Sequence, residues 1–182
     1  MADEVRPKRV SATLFDMVRS LGVLVVIVGI TLLFVPGLLH PNKSQRFQAV
    51  GYSDDVAGFK QVSGVNALVP TALPKPWYAN SADLKYSGVH AHLHIGWVSP
   101  TNDYAALEES NNDASVFIRA ILGERGLKVT GHESINGASW MRSISDSGEN
   151  SLVRTTSDGI TVVITGSAST AQQEQLAAAL RT

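Results

Sequence analysis

From Ser20 to Leu39 the chain reads SLGVLVVIVGITLLFVPGLL, 20 residues without a charge. An α-helix rises about 1.5 Å per residue, so this run reaches about 30 Å, the hydrocarbon thickness of a bilayer. A buried core helix of that length keeps some polar face, and this run has none. A cleaved signal peptide would need an A-x-A-like site after the apolar run. The chain instead continues His40-Pro41-Asn42-Lys43-Ser44-Gln45-Arg46-Phe47. An uncleaved transmembrane anchor is therefore expected. Arg6, Lys8, Arg9 and Arg19 precede it, and only Lys43 and Arg46 follow at similar distance. That bias puts the N-terminus on the cytoplasmic side of the cell membrane. No ionisable residue lies in the span, which argues against an ion pathway. The expected layout is a cytoplasmic tail at 1–19, a transmembrane helix at 20–39, a linker at 40–53 and an extracytoplasmic domain at 54–182.

Outside the anchor the composition is that of an ordinary globular domain. From Lys43 onward there are 11 Lys or Arg and 13 Asp or Glu, a near-balance that leaves no basic footprint for nucleic acid. The chain has no cysteine, which removes disulfides, thiol catalysis and thiolate metal sites. A domain of roughly 130 residues can bury a sufficient core without disulfides.

Local patterns predict alternating helices and hairpins. Ser53 with Asp54, Asp55, Val56 and Phe59 predicts a short capped helix. Three prolines in Val69–Pro76 forbid helix or central strand and predict an extended lead-in to Trp77. Val89–Val98 alternates strictly: Ala91, Leu93, Ile95 and Trp97 face one way, and His90, His92, His94 and Gly96 the other. A turn at Ser99–Asn102 leads to a second strand near Tyr104–Glu109, paired antiparallel with the first. Asp113 caps a helix whose Ala114, Phe117, Ile118, Ile121 and Leu122 form one apolar stripe. Asn136-Gly137 marks a hairpin between Leu127–Ile135 and Ala138–Ile144. Asp158-Gly159 marks another between Ser151–Thr156 and Ile160–Thr165. A last helix starts at Thr170, with Gln173 completing a capping box. The fold class is α+β: one N-terminal transmembrane helix, then a mainly antiparallel sheet of about seven strands with two to three helices. Leu93, Ile95, Trp97, Phe117, Ile121, Trp140, Val162, Ile164, Leu176 and Leu180 are expected to be buried together.

Four segments carry a family resemblance: VPTALPKPW at 69–77, HLHIGWVSPTNDYAALEES at 92–110, INGASW at 135–140, and SLVRTTSDGITVVITGSAS with LAAAL between 151 and 180. In order and spacing the outer domain resembles an actinobacterial domain-of-unknown-function family, DUF4245. The resemblance implies one membrane helix followed by this domain. It implies no activity and transfers no catalytic residue. Where that family often has Asp-Gly after its Ser/Thr-Pro turn, this chain has Asn102-Asp103.

His90-x-His92-x-His94 is the sharpest chemical feature. On a strand these imidazoles share one face about 6.6–7 Å apart and could converge on a metal. Glu108 or Glu109 on the paired strand could join them. The competing reading is three solvent-facing histidines behind an apolar face. His132-Glu133 begins an H-E-x-x pattern without its second histidine, and it falls on a strand rather than a helix. Ser139 lacks the second glycine of a nucleophile elbow. Gly166–Ser169 has no phosphate-loop lysine. Trp77, Trp97 and Trp140 are expected as core anchors. No catalytic residue and no cofactor is specified by spacing. The expected function is a non-enzymatic binding or adaptor module of the cell envelope. Its expected partners are the lipid bilayer, through residues 20–39, and an envelope or membrane protein. The second reading is a metal-assisted envelope hydrolase built on His90, His92 and His94.

Overall fold

The structure, a computed structural model, describes residues 17–19, 21–25 and 49–182. Residues 17–19 and 21–25 are helical. Most of the expected transmembrane span and linker lies outside the described residues. Among the described residues no helix is long and apolar enough to cross a membrane. A separate compact unit runs from Phe47 to Thr182.

The chain order in that unit is α1 (Ser53–Ser63), β1 (Val69–Pro70), β2 (Tyr78–Ser87), β3 (His90–Val98), β4 (Tyr104–Ser110), α2 (Ala114–Leu122), a 3-10 turn (Glu124–Leu127), β5 (Gly131–Ile135), β6 (Ala138–Ile144), β7 (Asn150–Thr155), β8 (Thr161–Thr165), α3 (Thr170–Ala179) and β9 (Leu180–Arg181). Seven strands form one sheet in the order β2-β3-β4-β8-β7-β6-β5, and β1 pairs with β9 beside it. All neighbours are antiparallel. This is the expected α+β class with a seven-stranded antiparallel sheet. Two meanders, β2-β3-β4 and β5-β6-β7-β8, are joined by the pairing of β4 with β8.

Strand alternation divides the side chains between two faces. On one face Leu93, Ile95 and Trp97 of β3, Leu107 of β4, Val162 and Ile164 of β8 and Trp140 of β6 pack with Phe59 of α1 and Leu176 of α3. All three tryptophans belong to this cluster. On the other face Val153 and Val163 pack with Phe117, Ile118 and Leu122 of α2. The expected single core is thus two cores. Phe117 belongs to the second, and Ile121 is only half-buried beside it. The centre of the sheet is covered on both sides, which is why Thr161, Val162, Val163 and Ile164 are all fully buried and do not alternate.

Local chemistry sets most of the boundaries. Asp113 accepts from the N–H groups of Ser115 and Val116, as its position predicts. Asn136 and Gly137 take positive φ of 50° and 74° at the hairpin tip. Other boundaries differ from the sequence reading. The capping box of α3 is Ser169 with Gln172, one residue earlier. Gln173 is instead buried, donating to the carbonyl oxygens of Asn150 (2.9 Å) and Ala168 (3.3 Å). At α1 the cap position is Tyr52, with no side-chain bond, so Ser53 does not cap. The predicted arm Leu127–Ile135 begins only at Gly131, because Leu127 closes a 3-10 turn, Glu124–Leu127, at which Asp146 accepts from the N–H of Arg125 (2.9 Å). No periodicity predicts β2. Its sequence, YANSADLKYS, is rich in residues depleted from strands, but as an edge strand it need bury only one side.

Glu109 lies inside the larger core. It is fully buried, and both its oxygens accept from the Leu68 N–H, at 2.9 and 3.1 Å. Burial pushes its carboxyl up to about 8, against the opposing Leu68 bond. The native state therefore holds a proton that the unfolded chain has released above 4.5. The stability from this group is complete below that value and is lost as pH rises towards 8, by roughly 1–2 kcal/mol per pH unit in between. Glu109→Gln is expected to flatten this decline, read as urea midpoints at pH 5 and pH 8 from tryptophan fluorescence of the full-length chain in detergent. An unchanged decline would place the titration elsewhere. In the same assay Leu176→Ala should cost about 2–5 kcal/mol and Ile121→Ala clearly less. Equal losses would contradict the two-core arrangement.

Candidate functional site

The histidine strand lies on the face that α2 covers only in part. His90 sits at the exposed start of β3, while His92 and His94 are half-buried. Register places His94 opposite Glu108 and His92 opposite Ser110 on β4. Glu108 points between the two imidazoles: His92 Nε2 donates to one carboxylate oxygen and His94 Nδ1 to the other, each at 2.7 Å. The ring of Phe117, from α2, meets His92 edge-on at 5.1 Å between centroids. Glu109, one residue on, points to the opposite face and takes no part. Of the two carboxylates considered from the sequence, only Glu108 joins the histidines. His90 stands apart from the cluster, and among the described residues no group of three His, Asp or Glu is arranged to hold a metal ion.

The outward nitrogen of His94 faces two hydroxyls. Ser81 Oγ and the Tyr104 hydroxyl both lie 3.2 Å from Nε2. With the hydrogen on Nδ1, held by Glu108, Nε2 is an acceptor for either. Ser81 reaches this place through a β-bulge: Ala79 pairs with Trp97 and Ser81 with Gly96, leaving Asn80 as the extra residue. The bulge brings Asn80 and Ser81 onto the same face. Gly96 forms the floor beneath them, and a side chain there would collide with Ser81 Oγ, the Tyr104 hydroxyl and Asn80 Oδ1. Sequence reasoning misses these positions, because β2 and its bulge are not signalled by periodicity. The one hint is Gly96, the glycine that follows the three histidines on the same face of β3.

Electrostatics follow from this geometry. Burial pushes Glu108 upward, but the bonds from His92 and His94 outweigh it and hold the carboxyl below its ordinary 4.5. The same bond to Glu108 raises His94 above 6.5 in spite of burial. Burial raises the Tyr104 hydroxyl above 10, so it stays protonated at neutral pH. The array can orient an imidazole, keep it in one tautomer and pass a proton between Glu108-bound His94 and a neighbouring hydroxyl. A shallow pocket of about 240 Å³, lined in part by Lys85, Tyr86, His90 and His92, adjoins it.

His132-Glu133 and Ser139 stay apart from this array, and Gly166–Ser169 meets it only at the Tyr104 backbone, whose N–H donates to Ser167 Oγ at 3.0 Å. His132 is exposed on β5, and Glu133 is paired with Arg142, which also pairs with Glu174. Ser139 is exposed on β6.

Replacing Glu108 with Gln removes the charge that His94 faces. The titration midpoint of His94, followed through its ring C–H signals by NMR, is expected to fall in Glu108→Gln. A midpoint that stays in place would show that Glu108 does not control this imidazole.

Among known proteins, no curated sequence and no solved structure matches the chain. One family, described as proteins of unknown function, DUF4245, matches residues 9–180. That match covers nearly the whole chain, so the protein belongs to the DUF4245 family.

Proposed function

We propose that the chain is a single-pass protein of the cell membrane whose extracytoplasmic domain engages a component of the cell envelope. Residues 1–19 are cytoplasmic, 20–39 cross the bilayer and the rest lies outside. The uncharged 20-residue run and the Lys and Arg bias around it support this topology. A short linker then keeps the domain near the outer leaflet, which raises its effective concentration for components of the same envelope.

The observation that carries the engagement is the polar cluster of Ser81, His94, Tyr104 and Glu108, set on sheet surface that α2 leaves partly open. Converging polar side chains of this kind fix the orientation of a ligand at an adjoining pocket, here the one lined in part by His90 and His92. Tyr86, 68% exposed near the end of β2, lines that pocket and offers apolar contact there. The metal-assisted reading is less favoured, because His92 and His94 both direct a ring nitrogen to Glu108.

Protease treatment of intact protoplasts is expected to remove the outer domain and leave the tail, and a protected domain would overturn the topology. A photo-crosslinking residue placed at Tyr86 in the full-length chain should capture an envelope component reproducibly. The same residue at Ser157, on the exposed β7–β8 turn, should not. Equal capture at both positions would remove the support for engagement at this face.

A further inference from the structure

We infer that Ser81, His94 and Glu108 form an acyl-transfer site acting on a carboxylic ester. This deepens the reading above, since the engaged component would carry the ester, and it departs from the non-enzymatic expectation. That expectation rests on the lack of a nucleophile with its base in the sequence. Ser81 and His94 are 13 residues apart on neighbouring strands, in no recognisable motif, and only the folded sheet brings them together.

The geometric requirements for such a site are a nucleophile bonded to a base and a base bonded to an orienting group. Ser81 Oγ lies 3.2 Å from His94 Nε2, and His94 Nδ1 lies 2.7 Å from Glu108 Oε1. Glu108 is 7% exposed, and its second oxygen is held by His92, so it cannot swing away from the base it orients. His92 and Glu108 are positioning residues. Tyr104, protonated and 3.2 Å from the same imidazole nitrogen, is the donor placed for a developing oxyanion once Ser81 occupies Nε2. The bulge at Asn80 and the absent side chain at Gly96 are what seat Ser81 there.

The chemistry balances with water as the only co-reactant. Ser81 Oγ attacks the ester carbonyl carbon as its proton passes to His94 Nε2. The bond from that carbon to the alcohol oxygen breaks, and His94 returns the proton to the leaving oxygen. Water, deprotonated by His94, then attacks the acyl-serine. The acid is released, and the proton goes back to Ser81 Oγ. The base form of His94 is needed, so the rate rises with pH. Its midpoint is raised chiefly by the bond to Glu108 on β4, lowered by burial, raised by Asp83 and lowered by Lys85 on β2, with the Tyr104 hydroxyl of β4 facing the same imidazole.

The full-length protein in detergent, incubated with a fluorophosphonate and with p-nitrophenyl butyrate, tests this. Label is expected on Ser81 by peptide mass spectrometry. Hydrolysis should fall at least about 100-fold in Ser81→Ala and in His94→Gln, with the urea midpoint showing that each variant folds. Glu108→Gln should lower the rate and also move its pH midpoint downward, which a merely structural role would not do. His132→Gln, exposed on β5 and apart from the array, should hydrolyse like the parent. Absence of label on Ser81, or undiminished hydrolysis in Ser81→Ala, overturns the inference. Capture through Tyr86 is read separately: capture without label on Ser81 leaves engagement standing and sinks the acyl transfer, and label without capture does the reverse.

Discussion

The pairing of β4 with β8 holds the domain together. Each meander alone is a short antiparallel ribbon with an unpaired edge at the seam, and their union makes a seven-stranded sheet whose centre is covered on both faces. The seam explains the continuous run of buried residues from Ala105 to Ser110. It also explains why two adjacent glutamates can both be buried. Strand alternation sends Glu108 to one face and Glu109 to the other, so each meets a different environment.

These two carboxyls show how surroundings decide the state of one chemical group. Glu109 finds apolar neighbours and a single backbone N–H, and burial dominates, so it keeps its proton to about 8. Glu108 finds two imidazoles, whose hydrogen bonds outweigh burial and keep it ionised. Their effects on stability have opposite signs with pH. The Glu109 contribution is lost as pH rises above 4.5 towards 8. The Glu108 contribution is present above 4.5 and is lost as pH falls through its lowered value. The domain is therefore squeezed from both sides of neutrality by two neighbouring residues of the same type.

The polar face of β3 has a graded character. His90 is exposed, His92 is braced between Glu108 and Phe117, and His94 is bonded on both nitrogens. Reading the three as equivalent ligands overlooks this gradient. Position at the start of the strand makes His90 a surface residue, while proximity to the seam turns His94 into the hub of a hydrogen-bond array. The residues of that array come from three strands, β2, β3 and β4.

Short-range periodicity and turn chemistry were readable along the chain without any knowledge of the fold. The uncharged run at 20–39, the alternation of β3, the stripe and cap of α2 and the hairpin at Asn136-Gly137 each need only a few consecutive residues to be read. The α+β class and the family followed from these together. Long-range pairing settled the remainder. Ser169 rather than Thr170 caps α3, because the cap depends on where the chain leaves β8. The strand β2 exists because β3 offers it an edge, not because YANSADLKYS prefers to be extended. Phe117 and Trp140 went to different cores because the sheet has two covered faces, which no helix or strand pattern reveals. The candidate site needed the register of three strands and one bulge to bring Ser81, His94 and Glu108 within hydrogen-bonding distance. Such convergence is a property of cross-strand pairing, and pairing partners are chosen by the whole sheet rather than by any segment of it.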